Sequence, residues 1–504
     1  MDSGGCRGFH AIAKFAESGE SSKCTKAKFA RAMDPVVSLD SRLAWLRRFR
    51  DAVKSRHAEL AALACEEIGK PEFEALAGDI MPLLASCNWH LRRSRALLRS
   101  RRIGGGGLFG IGHRVERHRM PLGRVLIIAT WNYPVQLLGI QLVQAVIAGN
   151  RVVVKPSERA PRTQARLLAL AIDAAAADPV MRGQIELRAA SREEGRRVLA
   201  EESFDHVVFT GSTSVGRAIA EVCAARLITT TLELSGSDSA IVLADADARA
   251  AARAVFMGFT ANAGQTCMAP RRALVAREAM AAFTDELARL VAGARKVTLV
   301  DEHAARAAHA AANEAIRAGG RSVAGALEPP SGRALRPMAI LDCPAESSLF
   351  MGRHFGPALA VRTFDSVEEA FALHALAGQY LATSIWTRRP SHGIAARANA
   401  CGSGLVHFNS VLLPSAHPGV AIAGHGASGW GASRGESGLL ALTREVCVTR
   451  SSTLFAPPPD EPSPKIRSFL SRLIAWPLRA EPAPRARTEH PRASGAHTPE
   501  KVHA

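Results

Sequence analysis

The sequence predicts an α/β fold built on parallel strands, and three observations carry that prediction. Val125-Leu126-Ile127-Ile128 and Val152-Val153-Val154 are short, unbroken apolar runs, the pattern of strands buried on both faces. A helical stretch near Leu138 to Ile147 separates them, as the crossover between parallel neighbours requires. The alternation returns with His206-Val207-Val208-Phe209, a following helix, and a fourth run from Leu227 to Leu234, which puts helices on the faces of the sheet.

The remaining elements follow in order. Residues 1–37 carry no sustained periodicity and read as a flexible N-terminal arm. From Ser38 onward, Leu43, Leu46, Phe49 and Val53, then Leu60, Leu63 and Ile68, recur at helical spacing. Pro71 and Gly78 punctuate a second helical stretch that runs to Leu98, and Gly104-Gly105-Gly106-Gly107 break the chain. Helices and strands alternate from Ala250 to Leu442, and Glu445 to Thr449 reads as a last strand. Beyond Thr453, Pro457-Pro458-Pro459, Pro462 and Pro464 mark a linker. A short amphipathic helix is expected over 465–476, with Ile466, Phe469, Leu470, Leu473 and Ile474 on one face beside Lys465, Arg467 and Arg472. Such a helix lies on an anionic membrane, packs on its own protein or stays unfolded, and composition leaves all three open. The rest of the 454–504 tail, rich in Pro and Arg, reads as disordered.

A chain of 504 residues with 47% apolar residues has room for roughly two to four globular domains. Its formal charge of +18 favours anionic surfaces and says nothing of the fold. Part of the excess lies where Arg92, Arg93, Arg95, Arg99, Arg101, Arg102, Arg114, Arg117 and Arg119 are opposed by Glu116 alone. That stretch reads as a nucleic-acid or phospholipid patch or, the commoner case, as a solvated face with an oligomer contact. No RNA-binding or zinc-finger signature accompanies it, so no specific nucleic acid is expected. The nine cysteines include no C-x-x-C pair, so neither zinc nor a disulfide framework is expected, and a reducing, cytoplasmic setting fits. The start lacks the apolar core of a signal peptide, and no run of 18 apolar residues predicts a spanning helix.

Five segments carry chemistry. Asn262-Ala263-Gly264-Gln265-Thr266-Cys267 puts a thiol among small and polar residues where backbone can approach a substrate. A thiolate is a strong nucleophile, although a free cysteine is more often an inert core residue. Glu233 ends a strand and precedes Leu234-Ser235-Gly236, at the strand end where α/β sheets hold ligands. It suits a general base for water, or a salt-bridged terminus. Thr130-Trp131-Asn132-Tyr133-Pro134 follows another strand. The Asn132 amide there suits a developing oxyanion, worth on the order of 3 kcal/mol in other enzymes, or simply caps the turn. Lys155 and Glu158, in Val154-Lys155-Pro156-Ser157-Glu158, suit ribose hydroxyls or form a solvated pair. Gly211-Ser212-Thr213-Ser214-Val215-Gly216 joins strand to helix, and a helix N-terminus favours phosphate. It is not the G-x-G-x-x-G fingerprint and is weak alone.

Together, in this order and with Cys267 34 residues after Glu233, the segments resemble the aldehyde dehydrogenase superfamily from about Ser38 to Thr453. The chain looks closest to the shorter, class-3-like branch. Gly426-Ala427-Ser428-Gly429-Trp430-Gly431 is similar to dehydrogenases of long apolar aldehydes. The resemblance implies a Rossmann-type cofactor domain over 38–232, with bridging strands about 108–120, a catalytic domain over 233–440 and a bridging strand over 441–453. It implies oxidation of an aldehyde to an acid with NAD or NADP. Cys267 is the implied nucleophile, Asn132 the oxyanion donor and Glu233 the base for water. Lys155 and Glu158 are implied at the adenosine ribose, Gly211, Ser212 and Gly216 at the pyrophosphate, and Trp131 and Phe355 at the cofactor. A homodimer is implied as well, and no metal.

The departures are specific. Arg353-His354-Phe355-Gly356-Pro357 has an arginine where the family usually places a glutamate on the nicotinamide ribose, which exchanges an acceptor for a cation. Thr130 replaces a usual proline, Ser235 a glycine, and Ala421-Ile422-Ala423-Gly424 the Pro-Phe-Gly-Gly pattern; Lys296 to Gly325 looks short. The resemblance with these departures implies an active enzyme that is slow or unusually cofactor-selective. The rival is a catalytically silent scaffold that binds partners through the basic face.

Overall fold

The computed structural model describes residues 37–106, 110, 112–452 and 463–475. Residues 1–36 of the expected arm, Gly107 of the glycine break and the tail after residue 475 lie outside the described residues. The chain divides into two compact units, one of Met1–Arg102 with Glu116–Val448 and one of Ile103–Val115 with Thr449–Ala504.

In the first unit, helix Leu39–Ser55 is capped by Ser38, whose Oγ accepts from the Ser41 amide at 3.1 Å. The apolar stripe of Leu43, Leu46, Phe49 and Val53 is buried. Trp45 ties the helix to Pro161–Ala176 by donating Nε1–H to the Ala171 carbonyl at 3.0 Å. Helix His57–Ile68 ends at Gly69. The next stretch is more broken than its periodicity suggests, since a π turn over Ala75–Ile80 precedes helix Met81–Leu98. That turn buries Asp79, which pairs with the equally buried Lys70. Asp79 also accepts from the amides of Val135 (3.1 Å) and Gln136 (2.8 Å) at the start of helix Gln136–Ala148, where a negative charge complements the helix dipole.

The first sheet has six strands in the order Gly429–Trp430, Thr229–Leu234, His206–Gly211, Arg124–Ile128, Arg151–Lys155, Ile185–Leu187. All run parallel except Gly429–Trp430. Val125 and Ile127 face one apolar core, Leu126 and Ile128 another, and this double burial explains the unbroken apolar runs. The first strand in chain order lies mid-sheet, so the order reverses between Arg124–Ile128 and His206–Gly211. Ligands of open α/β sheets bind beyond the strand ends at such a reversal. The second sheet has seven strands: Arg321–Ser322, Met338–Leu341, Ala358–Phe364, Pro270–Ala276, Asp238–Val242, Ala382–Trp386 and Leu405–Phe408.

The division drawn from sequence at residue 233 does not follow the sheets. Glu233 belongs to the first sheet, and the second begins at Asp238. Gly429–Trp430 returns to pair with Thr229–Leu234. Helix Gly435–Ala441 also comes back to Gln136–Ala148, where Gln144 donates to the Gly435 carbonyl at 3.1 Å. A two-residue strand carries no periodicity, so this return leaves no trace in the hydrophobic pattern. A third sheet has the order Arg101–Ile103, His113–Pro121, Thr443–Ser451, and within it Glu445 faces Arg119 at 3.2 Å and Arg117 at 3.9 Å.

In the second unit, Ser452 donates its amide to the Gly112 carbonyl at 2.9 Å, and His113 Nδ1 meets Ser451 Oγ at 2.8 Å. Its helix runs Pro464–Ala475, one residue earlier at each end than expected, and exposes Ile466, Phe469, Leu470, Leu473 and Ile474. Among the described residues no helix is long and apolar enough to cross a membrane.

Removing the Asp79 carboxylate strands the Lys70 charge in a dry interior. Asp79→Ala is expected to destabilise the protein by about 3–5 kcal/mol, read as a lower urea midpoint. A loss of under about 1 kcal/mol, the scale of an exposed pair, contradicts this.

Candidate active site

Helix Ala248–Thr260 ends in a tight turn, Ala261–Gly264, that delivers the chain to Cys267. Asn262 (φ 52°), Ala263 (φ 54°) and Gly264 (φ 71°) are successively left-handed, a conformation that costs a non-glycine residue roughly 1–2 kcal/mol. The surroundings hold it there. Glu74 accepts from the Asn262 amide at 2.6 Å, and Asn262 Nδ2 donates to the carbonyls of Asn132 (2.8 Å) and Gln265 (3.2 Å). Arg271 Nη1 reaches the Gly264 carbonyl (2.9 Å), and its Nη2 the Thr266 carbonyl (3.0 Å). A Cβ on Gly264 would collide with the backbone of Gly356, so only glycine lets these loops meet.

Cys267 is buried against Met268, Leu381, Ala382 and Ile422. Glu233 is buried too. Ser433 Oγ donates to one carboxylate oxygen at 2.8 Å, while the other has no partner. Burial pushes the Cys267 thiol up to about 12, the nearby Glu233 carboxylate and Asp238 push the same way, and Arg434 opposes. Burial likewise raises Glu233, opposed by the Arg434 charge and the Ser433 hydroxyl. Asn132 donates Nδ2 to the Gln265 carbonyl, two residues before Cys267, at 3.0 Å. An amide nitrogen has two hydrogens, so one stays available. The thiol thus feels the carboxylate's charge, and the amide is bonded to the loop that bears the thiol.

The other expected residues follow the ends of first-sheet strands, except Phe355, which precedes strand Ala358–Phe364 of the second sheet. Lys155 Nζ lies 3.3 Å from Glu158, which Arg192 also holds at 2.8 Å. Burial pushes the Glu158 carboxyl up, but Arg192, its own backbone and Lys155 outweigh it and hold it at about 2. Gly211 ends its strand, Ser212 precedes helix Thr213–Ala225, and no side chain caps that helix, which leaves first-turn amides for an anion. A Cβ on Gly216 would lie 2.6 Å from Leu234, so glycine seats helix on strand. Trp131 meets Phe355 edge-on at 5.9 Å, with Arg159 over Trp131 and Arg271 over Phe355. Arg353 is exposed, and its charge acts on Glu314. Sequence reasoning missed Glu74, Arg192, Arg271, Ser433 and Arg434, none of which stands in a motif. Among the described residues, no group of three His, Cys, Asp or Glu side chains is arranged to hold a metal.

The model of the aldehyde dehydrogenase family matches residues 12–448. The chain belongs to that family. The match starts upstream of Ser38, where the motifs alone placed the beginning. The chain is 28% identical to a 4,4'-diapolycopene-4,4'-dial dehydrogenase of Cytobacillus firmus over 81% of this chain and 89% of the relative. It is 34% identical to a benzaldehyde dehydrogenase [NAD(+)] of Pseudomonas putida over 62% of this chain and 65% of that one. An NAD-dependent aldehyde dehydrogenase of Sinorhizobium meliloti superposes with a TM-score of 0.77 at 27% identity, covering 84% of each chain. This family member is therefore an oxidoreductase that oxidises aldehydes with NAD or NADP.

Proposed function

We propose that the protein oxidises an apolar or aromatic aldehyde to its carboxylic acid through a thioester on Cys267. The observation that carries this reading is that Cys267 and Glu233 are both buried, the Glu233 charge acts on the thiol, and the Asn132 amide is bonded to the loop that bears it. Cys267 Sγ gives up its proton to solvent and adds to the aldehyde carbon, so that a C–S bond forms as the C=O π bond opens. The resulting oxyanion is held by the free Asn132 N–H and the Cys267 backbone N–H. NAD or NADP, when bound, supplies the acceptor for the hydride that the thiohemiacetal carbon loses. Glu233 then takes a proton from water as it attacks the thioester, and the Cys267 thiolate leaves. A base aimed at water favours hydrolysis over acyl transfer to another thiol.

The chain offers fitting groups for a dinucleotide. Lys155 and Glu158 present a donor and an acceptor to ribose hydroxyls. Gly211, Ser212, Gly216 and the uncapped helix start suit a pyrophosphate, and Trp131 with Phe355 offers aromatic surface for the nicotinamide end. Glu158 stays ionised at any physiological pH, which repels a 2′-phosphate and favours NAD. The exposed Arg353 makes no acceptor for a ribose, consistent with slow turnover.

The apolar wall of Met268, Leu381, Ala382 and Ile422 beside Cys267 supports an apolar substrate, as do the relatives named for diapolycopene-dial and benzaldehyde. These names also support a place near the class-3-like branch. The proposed domains are a cofactor part over 38–232, a catalytic part over 233–440 that lends Gly429–Trp430 to the first sheet, and bridging strands near 108–120 and 441–453. The bridging strands suit a homodimer in the cytoplasm. The exposed face of Pro464–Ala475 and its three basic residues suit peripheral contact with an anionic membrane.

With benzaldehyde and long-chain aldehydes, each with NAD and with NADP, reduced-cofactor formation is expected with NAD preferred. Cys267→Ala should lower it by on the order of a thousandfold, and silence of the wild type across the panel would instead favour the scaffold. Full-length protein is expected to sediment with phosphatidylserine vesicles and a chain ending at residue 453 to stay in solution; equal partition of the two removes the membrane contact.

A further inference from the structure

The charge that opposes both Cys267 and Glu233 comes from Arg434, a residue outside every motif. It is buried at 5% exposure, directly after Ser433. Its backbone stands at φ 65°, ψ 166°, a region occupied almost only by glycine. Three contacts keep it there. Its amide donates to Gln144 Oε1 at 3.2 Å, Gln144 donates back to the Gly435 carbonyl at 3.1 Å, and Nη1 donates to the Ser415 carbonyl at 2.8 Å. Nε is buried without a partner. An arginine in a strained backbone conformation, buried with an unsatisfied donor, is unfavourable unless negative charge lies near. One Glu233 oxygen is likewise buried and unpartnered. The two groups form no ion pair within 4 Å, so the Arg434 charge acts on Glu233 at longer range.

We propose that Arg434 is a positioning residue for the hydrolytic half of the reaction: its buried guanidinium, on the residue after the Ser433 that bonds Glu233, keeps the Glu233 carboxylate in its charged form while water attacks the thioester. This rests on the assignment of Glu233 as the base. Ser433 and Arg434 divide the work, the hydroxyl orienting one oxygen by a direct bond and the cation favouring the charged form. Water loses its proton to Glu233, its oxygen bonds to the acyl carbon, and the C–S bond breaks to return the thiolate, whose charge the same guanidinium also favours. Beside burial, Glu233 feels Arg434 and Ser433, while Arg434 feels Glu233, Cys267 from the nucleophile loop, Tyr133, and Asp79, which is paired with Lys70. Asp238 acts on Cys267. Of the buried cations nearby, Lys70 is paired with Asp79 and Arg271 is bonded to the carbonyls of Gly264, Gly356 and Thr266, whereas the Arg434 charge acts on Glu233.

The test uses the full chain acylated on Cys267 with p-nitrophenyl acetate, and the decay of the acetyl-enzyme is followed by intact mass as a function of pH. Removing a neighbouring positive charge raises a carboxyl pKa, so the base form appears at higher pH. Arg434→Met should move the rising limb of the hydrolysis profile up by about one pH unit and slow hydrolysis about tenfold near pH 7. Arg434→Lys, which keeps the charge, should restore most of the wild-type limb, and Glu233→Gln should abolish the limb. A limb unmoved in Arg434→Met but lost in Glu233→Gln overturns this proposal alone. A limb that Glu233→Gln leaves in place overturns the base assignment, and this proposal with it. Should Arg434→Met fail to fold, the Lys variant decides: a wild-type limb supports the charge role, and a displaced one overturns it.

Discussion

The structure turns on one constraint: a carboxyl and a thiol are both buried, and the charge of the first acts on the second. In such a place each group resists ionisation because of burial, and the carboxylate makes ionisation of the thiol harder still. A site of this kind needs compensation from polar neighbours. Ser433 donates to Glu233, Arg434 supplies a cation, and Arg271 and Glu74 hold the turn that brings Cys267 there. The proposed chemistry follows from the same tension, since a carboxyl disfavoured as an anion takes a proton readily and a thiol disfavoured as a thiolate attacks only when a substrate relieves it.

The two sheets make the pocket possible. The strand bearing Glu233 belongs to the first sheet, and the turn before Cys267 leads into Pro270–Ala276 of the second. Left-handed backbone at Asn262 and Ala263 is stored strain, tolerated because both side chains and backbone are bonded on several sides. Gly264 passes against Gly356, just beyond Phe355, so the loop of the nucleophile and the loop of the aromatic pair are locked together.

Much of this was legible in the sequence, for physical reasons that can be named. Strands buried on both faces must be apolar throughout, so Val125–Ile128 and Val152–Val154 announced themselves. Residues at strand ends, such as Lys155 and Gly211, stand out because polarity returns abruptly after an apolar run. What escaped was long-range. The strand Gly429–Trp430 is too short to show a period, and Asp79 looks like any surface acid until the π turn folds it against Lys70. Arg434 sits in a run of small residues whose return to Glu233 depends on pairing with a strand some 200 positions earlier. Arg353 stands where the resemblance expects an acceptor for a ribose, and its side chain is exposed.

The shared pocket is tested most directly by the pH dependence of Cys267 alkylation with iodoacetamide, compared between the wild type and Glu233→Gln. Only the thiolate reacts, so the rate follows its population. A wild-type midpoint well above the ordinary thiol value of about 8.5 is expected, and a lower midpoint once the neighbouring carboxylate is removed. A midpoint at the ordinary value, or one that Glu233→Gln leaves unchanged, would contradict it.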